Sequence, residues 1–166
     1  MAETRVTITL ENLAPDNGIG IAQTWYAFHD GTFDLYDTGA TASQALEIIA
    51  EDGITGIEQD IPGLVAEAIA NGANITDFPA VEDTVAGQFA ASEAGTNGGI
   101  QGMLFTENRE PPFFLLQNPG ETVSATITID DEDIENNRYF SYVTKVFPSN
   151  DGFIANDDPQ TIEIFD

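Results

Sequence analysis

Near each end of this chain, apolar and hydroxyl side chains alternate one for one, and that pattern constrains the fold more than any other feature. Arg5–Leu13 contains Val6-Thr7-Ile8-Thr9-Leu10, and Glu121–Asp130 carries Val123, Ala125, Ile127 and Ile129 on alternate positions. Side chains of a strand point to opposite faces in turn, so each stretch reads as a strand with one face on a core and one in water. Gln23–His29 and Tyr139–Phe147 are aromatic-rich strand patterns, and Thr161–Phe165 reads as the start of a last strand. The period changes in the middle. Thr41 with Gln44 suggests a capping box, Ala45, Leu46, Ile48 and Ile49 form a stripe, and Gly53 suits the end of a helix over Thr41–Asp52. A second helix is expected from Pro62 to Asn71 and a third over Val81–Ala91. Strands at both ends with helices between them predict a mainly β protein, an antiparallel β-sandwich with short helices inserted mid-chain.

Charge narrows the function classes. Among 166 residues, 29 are Asp or Glu and 4 are Lys or Arg, a net charge of −25. Four scattered cations cannot make the basic face that nucleic acid requires, and anionic membrane is disfavoured for the same reason. The single lysine, Lys145, follows Thr144, so there is no Gly-Lys phosphate loop. No apolar run approaches the ~20 residues of a membrane span, so membrane insertion is not expected. Hydrophobic residues are 42% of the chain, enough for a core, so the acidity does not mean disorder. With no Cys, disulfides, thiolate metal sites and cysteine nucleophiles are out. Met1-Ala2-Glu3 runs straight into a strand pattern, so no leader is expected within the chain. Two uses remain for such acidity: a hydrated, self-repelling surface of the kind found in high-salt proteins, and clustered oxygen ligands for a hard cation.

The loop Ser149–Pro159 holds Asn150, Asp151, Asn156, Asp157 and Asp158. Ca²⁺ takes six to eight oxygens in a flexible arrangement, and irregular backbone between strands supplies carbonyls as well as carboxylates. The same composition also describes a solvated turn, and both readings stay open. Asp130–Glu135 fails as an EF-hand, because a loop starting at Asp131 has Asn136 where Gly is needed. The lone His29 sits at a strand end with no Gly-x-Ser-x-Gly elbow, which favours a packing or turn role over a catalytic triad. Trp25, Tyr26, Phe28, Phe33 and Tyr36 could line a sugar-binding surface or fill the core. Asn74-Ile75-Thr76 is a glycosylation sequon, relevant only in a glycosylating host.

Several stretches, taken in order, resemble the bacterial spondin-domain family, related to the animal F-spondin and mindin domains. Phe28-His29-Asp30-Gly31-Thr32-Phe33-Asp34 is similar to the family's His-Asp-Gly-x-Phe-Asp signature, and Ala42–Gly53 to the helix that follows it. Asn137-Arg138-Tyr139-Phe140-Ser141-Tyr142, then Pro148-Ser149-Asn150-Asp151-Gly152-Phe153-Ile154, resembles the family's next run; Glu11-Asn12-Leu13 also fits. The likeness covers most of the chain and is weakest over Ile54–Arg109. It implies a C2-like β-sandwich, one spondin-like domain over 1–166, secreted or at the cell surface, with Ca²⁺ at one end. Asp151 falls on the family's ligand position. The family's other carboxylates come from a later Asp-Ala-Gly-Thr-Asp segment, so that segment and the final strand are expected to be missing here.

The leading expectation is therefore a non-enzymatic, extracellular, calcium-binding adhesion or matrix module. Its candidate ligands are Asp151, Asn150, Asp157 and Asp158. Its partners would be calcium, other copies of itself, or cell-surface and matrix components. An alternative is a self-assembling filament or matrix subunit, adding strands at the edge that a missing last strand leaves open. A carbohydrate-binding or hydrolase domain is the third.

Overall fold

The computed structural model describes residues 2–72, 74, 78–107, 109–110 and 114–166. The chain begins with two long strands, β1 (Glu3–Glu11) and β2 (Gly20–His29). Among the described residues four short α-helices follow: α1 (Gln44–Asp52), α2 (Leu64–Ala70), α3 (Val85–Ala91) and α4 (Glu93–Thr96). Strands then return as β3 (Ile100–Leu104), β4 (Arg109–Glu110), β5 (Phe114–Leu115), β6 (Thr122–Asp130), β7 (Tyr139–Phe147) and β8 (Phe153–Ala155). β1 and β6 form an antiparallel ribbon in unbroken register from Glu3↔Asp130 to Glu11↔Thr122. A second antiparallel sheet has the order β3-β2-β7-β8, and β4 pairs with β5. The protein is β-rich, with a few short helices in mid-chain.

β2 is the spine. All ten of its residues are buried, because both of its faces are covered. Trp25 and Ala27 point to one side, where Phe33 and Leu35 of the loop after β2, Ala45, Leu46 and Ile49 of α1, and Val85, Ala86 and Phe89 of α3 close over them. Tyr26 and Phe28 point to the other, onto Leu104 and Ile129 and the inward row of the ribbon. The layers thus run helices, four-stranded sheet, ribbon. The hydroxyls on the ribbon's outer face pair across the strands, with 3.0 Å between Thr7 and Thr126 and 3.0 Å between Thr9 and Ser124.

Several local expectations shift. The cap of α1 is Ser43, whose Oγ accepts from Leu46 N at 3.2 Å, not the Thr41 box. Gly53 ends α1 at φ 69°, the left-handed conformation glycine supplies without strain. α2 starts at Leu64 rather than Pro62, because Gly63 before it has φ 81° and cannot be helical. The 81–91 stretch divides into a 3₁₀ turn (Val81–Asp83) and α3. The polar Asp131–Asn137 connection is a 3₁₀ helix anchored by buried Asn137, which accepts from Ile100 N and donates to Gly98 O and Asp133 O. β8 lies inside the stretch expected to be an acidic loop. Thr161–Phe165 borders the start of β7, where Phe140 N donates to Ile162 O and Ile164 N to Arg138 O. The sequon at 74–76 extends beyond the described residues. No described helix is long and apolar enough to cross a membrane.

Candidate functional site

The expected calcium ligands lie on either side of a short strand. Asp151 precedes β8 and Asp157 follows it, so an extended strand holds them apart; six residues span up to roughly 20 Å. At one end Asp157 packs against the loop after β2. Its Oδ1 accepts from Thr38 N at 2.9 Å and its Oδ2 from Thr38 Oγ1 at 2.8 Å. Asp158 Oδ1 accepts from Gln160 N at 2.8 Å. Asp34 and Asp37 belong to this end. Partial desolvation, then the charges of Asp37, Asp157 and Asp158, push the Asp34 carboxyl above its usual pKa, against a hydrogen bond from the Tyr36 backbone.

At the other end Asp151 Oδ1 accepts from Asn150 Nδ2 at 3.1 Å. The oxygen-rich position there is filled from within the protein. Lys145, only 2% exposed, donates from Nζ to Ala50 O at 2.6 Å and Ser149 O at 2.7 Å. Burial lowers the lysine's pKa, opposed by Asp52, Asp151 and Glu51. Among the described residues, no three His, Cys, Asp or Glu side chains are arranged to hold a metal ion. Asn150 and Asp151 thus sit on one side of β8 and Asp157 and Asp158 on the other, as two acidic ends and not one three-carboxylate cluster. The sequence reading of Lys145 stops at excluding a phosphate loop; its place inside the apolar Tyr139–Phe147 pattern is the signal of a buried cation.

The aromatic cluster lies in the core. Trp25 is fully buried, with ring centroids 5.7 Å from Phe33 and 5.6 Å from Phe89, and its Nε1 donates to Gln101 Oε1 at 2.8 Å. Tyr36 is half-buried and edge-on to Phe153.

His29 is also fully buried. Its Nδ1 accepts from Gly31 N at 3.0 Å, and its Nε2 lies 2.9 Å from Ser141 Oγ, which also accepts from Asn156 Nδ2 at 3.1 Å. An acceptor at Nδ1 leaves the proton on Nε2 and the ring neutral. Beside it Gly31 has φ 91°, and a Cβ there would come within 2.9 Å of the Tyr139 ring. Conformation and packing both demand glycine at this position.

Burial holds the His29 pKa below 6.5, with Asp30 pulling it back up. The unfolded chain therefore takes up a proton first as pH falls below 6.5. The contribution of His29 to stability is complete above that pH and is lost as pH falls through the folded value. His29→Gln is expected to lose less stability than the wild type as the pH is lowered from neutrality to about 5. Melting curves of the two chains, subtracted, cancel the shared carboxylate titration; parallel curves would remove the neutral-imidazole assignment.

No family model matches this chain, and no curated protein matches it.

Proposed function

We propose that the chain is a non-enzymatic binding module of the spondin type, a C2-like sandwich with helices on one sheet, acting outside the cell in adhesion or matrix contact. One observation carries the reading: Phe28, His29, Gly31, Phe33, Asn137 and Ser141 of the motif segments are buried and hold the fold, while the acids Asp34 and Asp151 of those segments are exposed. Two motif segments distant in sequence meet at the His29–Ser141 contact and at Gly31 against Tyr139, as a fold signature would. The only histidine and the only lysine are both buried and committed to hydrogen bonds with the protein itself. That arrangement supports binding over proton-transfer chemistry.

Calcium enters this reading as a diffuse counter-ion at the Asp34, Asp37, Asp157 and Asp158 end, where the acids repel one another without forming a three-carboxylate centre. Asp151 and Asn150 lie outside it, beside Lys145. A ligand held only by the folded chain at a hundredfold excess over its Kd adds about 2.7 kcal/mol. For a chain of this size that raises Tm by about 5–11 °C. Millimolar CaCl₂ is expected to raise Tm beyond NaCl of equal ionic strength, and Asp34→Asn to shrink the difference. Equal shifts in the two salts would remove calcium from the reading.

A further inference from the structure

We propose that the open edge of β1 is a self-association surface, where a second copy of this chain adds its own β1 in antiparallel register about a twofold axis through Ile8. Among the described residues β1 pairs with β6 alone. The hydrogen bonds continuing this ladder beyond both ends fix which backbone groups are used. Asn12 N donates to Glu121 O and Asp131 N to Ala2 O, so the even-numbered residues of β1 turn their N–H and C=O groups toward β6. The odd-numbered residues, Arg5, Thr7, Thr9 and Glu11 among them, turn theirs to the open edge.

Three features of β1 suit another strand. It has no proline, glycine or bulge, and its nine residues keep one register, so the usual devices that twist or interrupt an edge are missing. Its inward row, Val6, Ile8 and Leu10, faces the core yet is only half-buried, because a two-stranded ribbon is too narrow to cover it. A neighbouring strand would extend that apolar row and the hydroxyl row opposite it.

Charge and overlap together select one register: an axis at Thr4 also sets Glu3 against Arg5 but pairs only Glu3–Arg5 of the strand, whereas an axis at Ile8 engages nearly all of it. Arg5 faces uncharged Thr128 across the ribbon, and both Arg5 and Glu11 are exposed. With the axis at Ile8, Thr7 of each copy opposes Thr9 of the other, and Arg5 opposes Glu11, which gives two opposite-charge pairs. An axis at Thr7 would instead set Glu3 against Glu11, and one at Val6 would set Arg5 against Thr7. Opposite charges directly across a sheet stabilise and like charges destabilise. The Ile8 register also makes Thr7↔Thr9 and Arg5↔Glu11 the hydrogen-bonded pairs, which their outward backbone groups require. This edge is on the N-terminal strand; the C-terminal segment lies along the start of β7, with Phe140 N donating to Ile162 O.

Each copy carries −25, so long-range repulsion opposes the pair. That repulsion is screened over about 8 Å at physiological ionic strength and about 3 Å at 1 M salt, while contacts at the edge survive. Sedimentation velocity on the full chain, from about 0.1 to about 1 M NaCl, is expected to give a dimer fraction that rises with salt. Arg5→Glu sets two like-charge pairs across the edge and is expected to weaken association about tenfold or more. Glu11→Arg does the same, and the double variant Arg5→Glu/Glu11→Arg restores the dimer. Thr7→Pro removes only an outward N–H, so it abolishes the dimer while Tm stays near the wild-type value. Should Thr7→Pro fail to fold, the charge exchange decides alone. A chain that stays monomeric in 1 M salt at high concentration overturns the proposal, as does a dimer indifferent to Arg5→Glu.

Discussion

Trp25→Ala is expected to destabilise the protein by about 3–5 kcal/mol, the range for removing a buried aromatic ring from a close-packed core. The indole sits at 0% exposure where three elements meet. It belongs to β2, its ring packs on Phe33 and on Phe89 of α3, and its Nε1 donates to Gln101 of β3. Gln101 in turn donates from Nε2 to Ala86 O at 3.1 Å, so the indole hydrogen bond reaches α3 through the amide. Removing the indole opens a cavity that short helices on one side and a sheet on the other cannot collapse into, and it leaves the half-buried Gln101 amide oxygen without its donor. For a chain of this size the Tm falls by about 6 °C at the least and by up to about 20 °C. Trp25→Phe keeps most of the ring contacts and loses the hydrogen bond, so its cost is smaller, about 1–2 kcal/mol. Circular dichroism melts would measure both. A loss below about 1 kcal/mol for Trp25→Ala would mean the aromatic cluster serves a surface and not the core.

How far the sequence carried this reading depends on whether the determinant was local. Alternation is local, and the two strictest alternating stretches are the two strands of the ribbon, paired with each other across more than a hundred residues. A helix stripe ending at glycine is local too, and α1 ends at Gly53. Competition between neighbouring caps is decided by packing: Thr41 and Ser43 both qualify by type, and Ser43 Oγ is the one that meets an open N–H. The acidic stretch after β7 looks like one loop because Asp and Asn dominate it. Phe153–Ala155 nevertheless pairs with Val143–Lys145, since Phe153 packs beside the helix-side core. That short strand separates Asp151 from Asp157, and composition contains no trace of it. Likewise no spacing rule brings Asp157 onto Thr38, 119 positions away. The candidate ligands were legible as residue types and illegible as a set, because loops meet through topology.

Lys145 tests what holds the Asp151 end together. Its ammonium meets two carbonyls from separate elements, Ala50 in the last turn of α1 and Ser149 in the loop after β7. The last carbonyls of a helix lack intrahelical partners and carry the negative end of its dipole, so a cation there is doubly favoured. Glu51, Asp52 and Asp151 add carboxylate charge around it. Burying one ammonium among these groups costs desolvation, which is why burial is the larger influence on its pKa; the hydrogen bonds and opposite charges offset that cost. Lys145→Ala removes stem and charge together, leaving two carbonyl oxygens unpartnered and the acids uncompensated. Its expected cost is about 3–5 kcal/mol. Lys145→Met keeps the stem's packing and loses only the donor, so its cost is lower, about 2–3 kcal/mol. The ordering Ala below Met below wild type separates charge and hydrogen bonding from volume, and thermal or urea melts read it directly. Were Lys145→Met as stable as the wild type, the ammonium would be a tolerated burial and not a clamp. The same variant bears on calcium. If the cation acts at the Asp34 and Asp157 end, the calcium-dependent rise in Tm persists in Lys145→Met at its wild-type size. If Asp151 were the ligand, emptying its neighbourhood of the competing ammonium would enlarge that rise, because a divalent ion would then meet the carbonyls and carboxylates with no resident charge to displace.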